Sequence, residues 1–337
     1  MDVGIVGGSG YGGAELLRLL ATHPTLKVTT IAAHSAAGRD LSEVFPHLGM
    51  AGTLVPAEAA NLDGCDLVFL ATPHEASLDL APALLAQGAT VVDLSGAFRL
   101  DPDTFSQWYA MPHAAPELAP AAYGLPELFR DRLGGAELIA SPGCYPTAAL
   151  LALAPLAGLI DPATVVVNGM SGTSGAGKGL RDDLHASHVM GSVAPYAAPK
   201  HRHTPEIERY WSAAAAVDAP PISFTPHLVP MSRGLICTVT AQLTDPGADV
   251  RAAYDAAYGD EPFVTLLAEG AWPATAHVLG GNAAHLGVAV DERTGRVTAA
   301  CAIDNLVKGA AGQAIQAANV ALGLPEAAGL SAMGVYP

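Results

Sequence analysis

A short apolar run, Val3-Gly4-Ile5-Val6, leads directly into Gly7-Gly8-Ser9-Gly10-Tyr11-Gly12-Gly13 and then Ala14-Glu15-Leu16-Leu17-Arg18-Leu19-Leu20, whose apolar spacing is helical. Strand, glycine turn and helix in that order describe the first crossover of a parallel α/β sheet. Glycines let the backbone turn tightly and approach a pyrophosphate, whose charge then meets the free N–H groups opening the helix. Gly7, Gly10, Tyr11 and Gly13 are the candidate dinucleotide contacts. Further apolar runs at Leu67 to Ala71 and Thr90 to Leu94 alternate with the helix-like Glu75 to Gln87. This alternation predicts a Rossmann-type domain. Ligands bind outside the carboxyl ends of such strands, where Pro73, Ser95 and Arg99 fall.

The second strand, Leu26 to Ala33, ends without the carboxylate that would hold the ribose hydroxyls of NAD and repel a 2′-phosphate. Ser35 can donate to that phosphate and Arg39 can pair with it, which favours NADP(H).

With 16 Lys and Arg against 32 Asp and Glu, the formal net charge of −16 repels polyanions, so nucleic acid is not an expected partner. An anionic small molecule would need locally clustered cations. At 337 residues two domains are expected. The most apolar stretch, Ala148 to Ile160, is shorter than the ~20 residues of a membrane span and contains Pro155. No signal peptide precedes the first strand, so a cytoplasmic protein is expected.

Four cysteines, Cys65, Cys144, Cys237 and Cys301, show no Cys-x-x-Cys pairing, and neither a disulfide framework nor a metal site is expected. Cys65, Cys237 and Cys301 lie beside or within strand-like runs and read as inert core. Cys144 follows a strand and the turn Ser141-Pro142-Gly143, and it precedes an apolar stretch, which places it at a helix N-terminus where the thiolate is favoured. Its proton partner is best sought in His201-Arg202-His203-Thr204-Pro205-Glu206-Ile207, although spacing does not choose between the two histidines. His185 and His188 lack a third ligand and read as solvated.

The glycine turn, Ser141-Pro142-Gly143-Cys144-Tyr145-Pro146-Thr147 and the His-Arg-His-Thr-Pro-Glu-Ile segment together resemble the N-acetyl-gamma-glutamyl-phosphate reductase family. Other matching segments are Asp93-Leu94-Ser95, Tyr123-Gly124-Leu125-Pro126-Glu127, Ser171-Gly172-Thr173-Ser174-Gly175-Ala176-Gly177-Lys178 and Asp304-Asn305-Leu306-Val307-Lys308-Gly309. The resemblance covers almost the whole chain. It implies NADPH-dependent reduction of an acyl phosphate through a thioester on Cys144, with His203 as general acid and base. It also implies that a C-terminal helix, about Val307 to Leu322, returns to the nucleotide domain, giving 1–147 with 306–337, and 148–305 as a substrate and oligomerisation domain. That second domain would have a mostly antiparallel sheet of glyceraldehyde-phosphate-dehydrogenase-like architecture, in a homodimer or homotetramer.

Asn305 joins the cofactor contacts by resemblance. Ser171 and Gly172, in a glycine-rich loop, and Arg99 and Arg202 are the substrate candidates, with Lys178, Arg181 and Lys200 as further cations. Gly8 departs from the family's frequent Ala. The alternatives are the sister reductase of lysine biosynthesis, which tends to have Gly-Cys-Asn at the cysteine; aspartate-semialdehyde dehydrogenase; and an NADP-binding sensor without catalysis.

Overall fold

A computed structural model describes residues 1–216 and 221–336. The chain divides into two units, Met1–Gly143 with Ala310–Leu330, and Cys144–Gly309 with Ser331–Pro337.

In the first unit the strands are β1 (Asp2–Val6), β2 (Lys27–Ala33), β3 (Val55–Pro56), β4 (Leu67–Leu70), β5 (Thr90–Asp93), β6 (Ala122–Tyr123) and β7 (Leu138–Ala140). They form a parallel sheet in the order β3-β2-β1-β4-β5-β7-β6. Val3, Ile5 and Val6 and all four residues of β4 are fully buried, as the continuous apolar runs of a sheet covered on both faces require. The chain winds outward from β1 to β3 and then returns to β4. The order therefore reverses between β1 and β4, the switch point at which such sheets receive ligands.

The segment Ala310–Leu330 belongs to this unit. A π-helical turn, Val307–Ala311, runs into an α-helix, Gly312–Ala321, which packs on the Tyr11–Leu20 helix. Its buried polar residues recognise earlier segments: Asn319 Oδ1 lies 3.0 Å from His23 Nε2, and Gln313 Nε2 donates to Gly124 O at 2.8 Å. Those bonds satisfy groups that would otherwise be costly to bury.

The second unit holds β8 (Val166–Ser171), β9 (Ala194–Pro195), β10 (Ser223–Leu228), β11 (Leu235–Gln242), β12 (Val264–Leu266), β13 (Ala284–Asp291) and β14 (Arg296–Ile303), in the order β12-β13-β14-β11-β8-β10-β9. Pairing is antiparallel except for β12 with β13 and β8 with β10. Along β11, Leu235, Cys237, Val239 and Ala241 alternate inward, as period-two geometry dictates.

The Cys144–Leu153 helix packs on β11 and β14, and every residue after Cys144 in it is buried. A helix apolar on all sides belongs in a core. Its last carbonyls have no intrahelical partner. Two buried tyrosines of the Val250–Tyr258 helix supply one: Tyr254 Oη donates to Ala152 O, and Tyr258 Oη to Leu151 O at 2.9 Å.

Candidate active site

In the first unit, the loop after β1 is as tight as its glycines suggest. Gly7 has φ +83°, and its N–H and that of Gly8 both donate to Ala32 O, at 2.9 and 3.0 Å. A Cβ on Gly7 would stand 2.2 Å from Ala71 O, and one on Gly13 would stand 2.5 Å from Gly7 O. Neither position accepts a side chain without moving the backbone. Gly10 is roomier, with its nearest such contact at 3.4 Å. The helix that follows opens at Tyr11 with no side-chain cap and no acidic residue in its first turn. Its N–H groups and positive dipole end suit a phosphate.

The neighbouring loops are held by a buried carboxyl. Asp93, at the end of β5, accepts from Ser77 Oγ at 2.7 Å and from the Ser95 N–H and Oγ at 3.1 and 2.7 Å. Burial pushes its pKa up, opposed by those hydrogen bonds and by the charge of Arg99. Ser77 in turn meets Thr72 Oγ1 at 2.9 Å, one residue before Pro73, which caps the His74–Ala86 helix. Arg99 is only 4% exposed, and it donates to Ser141 O and Leu94 O, each at 2.8 Å. Its guanidinium serves the main chain that carries the loops after β5 and β7. Ser35 and Arg39 are exposed in the turns after β2, and Arg39 approaches Glu43 at 3.5 Å.

The thiol candidate opens the second unit. Cys144 is the first residue of its helix and is partly exposed, whereas Cys65, Cys237 and Cys301 are buried. Burial pushes the Cys237 thiol far up, which suits an inert core residue. Gly309 presses against Cys144, since a Cβ there would stand 2.8 Å from Cys144 Cβ.

Tyr145 joins the thiol's helix to the histidine segment, its ring 5.8 Å from that of His201 and 6.3 Å from that of His203. The two histidines differ in their bonding. His203 Nδ1 sits 2.8 Å from Glu206 Oε2, a carboxylate only 1% exposed. This bond puts the Nδ1 proton toward the carboxylate and leaves Nε2 as the acceptor nitrogen of the neutral ring. Glu206 was not singled out by sequence reasoning, although its i+3 spacing from His203 on a helix was the available signal.

His201 Nδ1 accepts the His203 N–H at 3.2 Å, which leaves its proton on Nε2. Burial and then the neighbouring His203 push the His201 pKa down to about 3. It is therefore a neutral donor at physiological pH.

That depression makes stability pH-dependent. A base whose pKa falls on folding binds fewer protons in the native chain than in the unfolded one, so its contribution is complete above about pH 6.5 and is lost as pH falls toward about 3. Burial lowers His23 and His285 in the same direction. We expect thermal unfolding at pH 5 to show a loss of up to roughly 2 kcal/mol from His201 alone relative to pH 7.5. The difference should shrink in His201→Gln, and an unchanged pH slope in that variant would refute the assignment.

Ser171 ends β8, and Gly172 leads into a 3-10 turn, Thr173–Ala176. Asn305 holds this loop from behind: its Oδ1 accepts the Gly234 N–H at 2.7 Å, and its Nδ2 donates to Ser174 Oγ at 2.9 Å. Arg202 is exposed on the histidine segment. Lys178 and Lys200 are exposed as well, and Arg181 pairs with Asp183. His185 and His188 lie exposed on the same excursion, 6.2 Å apart by ring centroid.

A dinucleotide loop in one unit and a cysteine with a carboxylate-backed histidine in the other define a semialdehyde dehydrogenase. The family descriptions agree: "Semialdehyde dehydrogenase, NAD binding domain" matches residues 2–136 and "Semialdehyde dehydrogenase, dimerisation domain" matches residues 144–305. Aspartate semialdehyde dehydrogenase II of Vibrio cholerae shares the fold at TM-score 0.74 and 18% identity, over 95% of this chain and 97% of that one. A Candida albicans aspartate semialdehyde dehydrogenase solved with NADP gives TM-score 0.65 at 16% identity, over 95% and 98%.

Within this class the chain belongs to the N-acetyl-gamma-glutamyl-phosphate reductase family. Relatives of that name are 51% identical in an Arthrobacter species, over 100% of this chain and 99% of that protein, and 47% identical in a Geobacter species, over 100% of both. One from Synechocystis is 45% identical over 99% and 98%. The chain is thus an oxidoreductase with an NAD(P)-binding domain. Among the described residues no helix is long and apolar enough to cross a membrane.

Proposed function

We propose that this chain reduces N-acetyl-gamma-glutamyl phosphate to N-acetylglutamate semialdehyde and phosphate with NADPH, a step of arginine biosynthesis. The observation that carries the reading is Cys144 at the head of a buried helix, joined through Tyr145 to a histidine backed by buried Glu206. Full-length likeness to reductases of that name supplies the substrate.

The Cys144 thiolate attacks the acyl phosphate carbonyl, the sulfur–carbon bond forms, and the bond to the phosphate oxygen breaks as phosphate leaves. One hard step becomes two easier ones. Bound NADPH supplies the hydride that reduces the thioester carbon. The thiohemiacetal oxyanion then reforms the carbonyl as the carbon–sulfur bond breaks. His203 exchanges the protons through Nε2, with Glu206 fixing the ring and its tautomer. The N–H groups at the start of the Cys144 helix and the neutral His201 donate to the developing oxyanion.

The cofactor residues are Gly7, Gly10, Tyr11 and Gly13 for the pyrophosphate, with Pro73, Ser95 and Asn305 as further cofactor contacts. Ser35 and Arg39, on a turn lacking a strand-end carboxylate, favour the 2′-phosphate of NADPH. Ser171, Gly172 and Arg202 serve the substrate, and Arg99 acts on it through the loops it holds. The chain works in the cytoplasm as a homodimer or homotetramer.

The reverse reaction tests this reading. Phosphate-dependent reduction of NADP⁺ is expected with N-acetylglutamate semialdehyde, and kcat/KM should be at least about 100-fold lower with aspartate semialdehyde, which is one methylene shorter and lacks the N-acetyl group. Equal rates would overturn the substrate, and equal use of NAD⁺ would overturn the cofactor preference.

A further inference from the structure

The chain leaves the second unit after Gly309 and belongs to it again from Ser331. The returning segment buries little, since Met333, Val335 and Tyr336 are 83%, 68% and 71% exposed. So slight a hydrophobic anchor adds little to stability. Its main chain is nevertheless fixed closely on residues 277–282. Ser331 O accepts the Asn282 N–H and Leu279 O accepts the Val335 N–H, both at 2.7 Å. A Cβ on Gly281 would stand 2.8 Å from Met333 O, and one on Gly334 would stand 2.8 Å from His277 O. The two backbones thus meet with no room for a side chain at either glycine.

The loop held in this way reaches the thiol through Asp304, a wholly buried carboxylate. Its Oδ2 accepts the Gly280 N–H at 2.7 Å. Its Oδ1 accepts the N–H groups of Leu306 and Val307 at 2.8 and 3.2 Å, which caps the turn that follows. Arg233 bridges the two oxygens, with Nε 3.1 Å from Oδ2 and Nη2 3.1 Å from Oδ1. The main-chain carbonyl of Asp304 accepts the Gly309 N–H at 2.9 Å, and Gly309 is the glycine packed against Cys144. A buried carboxylate deprived of the Gly280 donor must recruit another, so a shift of that loop is passed to the turn that bears on Cys144.

We infer that residues 331–336 are a positioning strap for the nucleophile: they hold the 277–282 loop, which through Asp304 and Gly309 fixes where Cys144 stands. The inference rests on the function proposed above. Misplacing a reacting group by about 1 Å costs on the order of 100-fold in rate, even when the change lies far from the chemistry.

The test uses the full chain with Val335→Pro, which deletes the N–H that Leu279 O accepts, and with Gly334→Val, which sets a side chain against His277 O. Both changes lie in the lightly buried segment, so both variants should melt near the wild type. In the reverse reaction kcat should fall about 10- to 100-fold, by more than KM for N-acetylglutamate semialdehyde rises. Alkylation of Cys144 by iodoacetamide, followed by intact mass, should slow about 3- to 10-fold, because the thiol's reactivity depends on its place at the helix start. Val335→Ala keeps the N–H and should retain the wild-type kcat and alkylation rate. An unchanged kcat in both displaced variants, or a lowered kcat with an unchanged alkylation rate, would overturn the inference. So would a loss in Val335→Ala equal to that in Val335→Pro, which would place the effect in side-chain packing. Should Val335→Pro fail to fold, Gly334→Val decides alone. Wild-type inactivity toward N-acetylglutamate semialdehyde would instead remove the functional reading beneath the inference, and the alkylation rates would still decide the strap.

Discussion

Replacing Cys144 by Ser or Ala is expected to abolish phosphate-dependent dehydrogenase activity, with a loss in kcat of roughly 10⁴-fold or more and little change in stability. Alanine removes the atom on which the acyl group is carried. Serine keeps its shape but presents a hydroxyl whose ionisation is out of reach near neutral pH, even at a helix start. The side chain is partly exposed, so no core cavity opens in either variant. The loss should therefore be chemical, which circular dichroism and melting curves can confirm. Intact-mass measurement after mixing with acyl phosphate in the absence of cofactor should show an acyl adduct on the wild type alone. Substantial turnover by Cys144→Ala would end the thioester mechanism.

The second large effect falls on the histidine. His203→Gln should lower kcat by about 10²- to 10⁴-fold, the range for a positioned general acid–base, with a smaller change in KM. Glu206→Gln keeps a hydrogen bond to Nδ1 but removes the buried negative charge. It should lower kcat by less than His203→Gln does, because the ring keeps a partner at Nδ1 but loses the acceptor that fixes its tautomer. A wild-type kcat in His203→Gln would assign the proton transfer elsewhere.

How much of this was legible beforehand depends on the range of the interaction. The glycine turn, the strand runs and the helix start at Cys144 are signals of a few contiguous residues, and the structure has them at β1, β4, β5 and the Cys144–Leu153 helix. The choice of His203 over His201 is not local in the same way. Both are histidines two positions apart, and they are distinguished by what each Nδ1 meets, a carboxylate in one case and a main-chain N–H in the other. Glu206 passes unnoticed because an acidic residue in the first turn of a helix already has an ordinary electrostatic reason to be there.

Arg99 shows the opposite difficulty. Charged residues default to the surface, so an arginine in a ligand-side loop suggests an anion. Its burial against Ser141 O and Leu94 O follows from where two separate strand ends meet. The ion pair of Arg233 with Asp304 joins residues 71 apart in the chain. No spacing rule reaches so far.

The setting of the Cys144–Leu153 helix has an evolutionary consequence. The helix is sunk in the core, and tyrosines about a hundred positions downstream tie off its far end. Ser171 and Gly172, proposed to recognise substrate, lie instead at the end of β8 and in the turn that follows it. The sulfur is thus anchored by packing that a change in the Ser171 loop does not touch. Loop substitutions can retailor the acyl chain the protein accepts while the sulfur keeps its place and its reactivity, so one scaffold can be passed from pathway to pathway with its reaction intact.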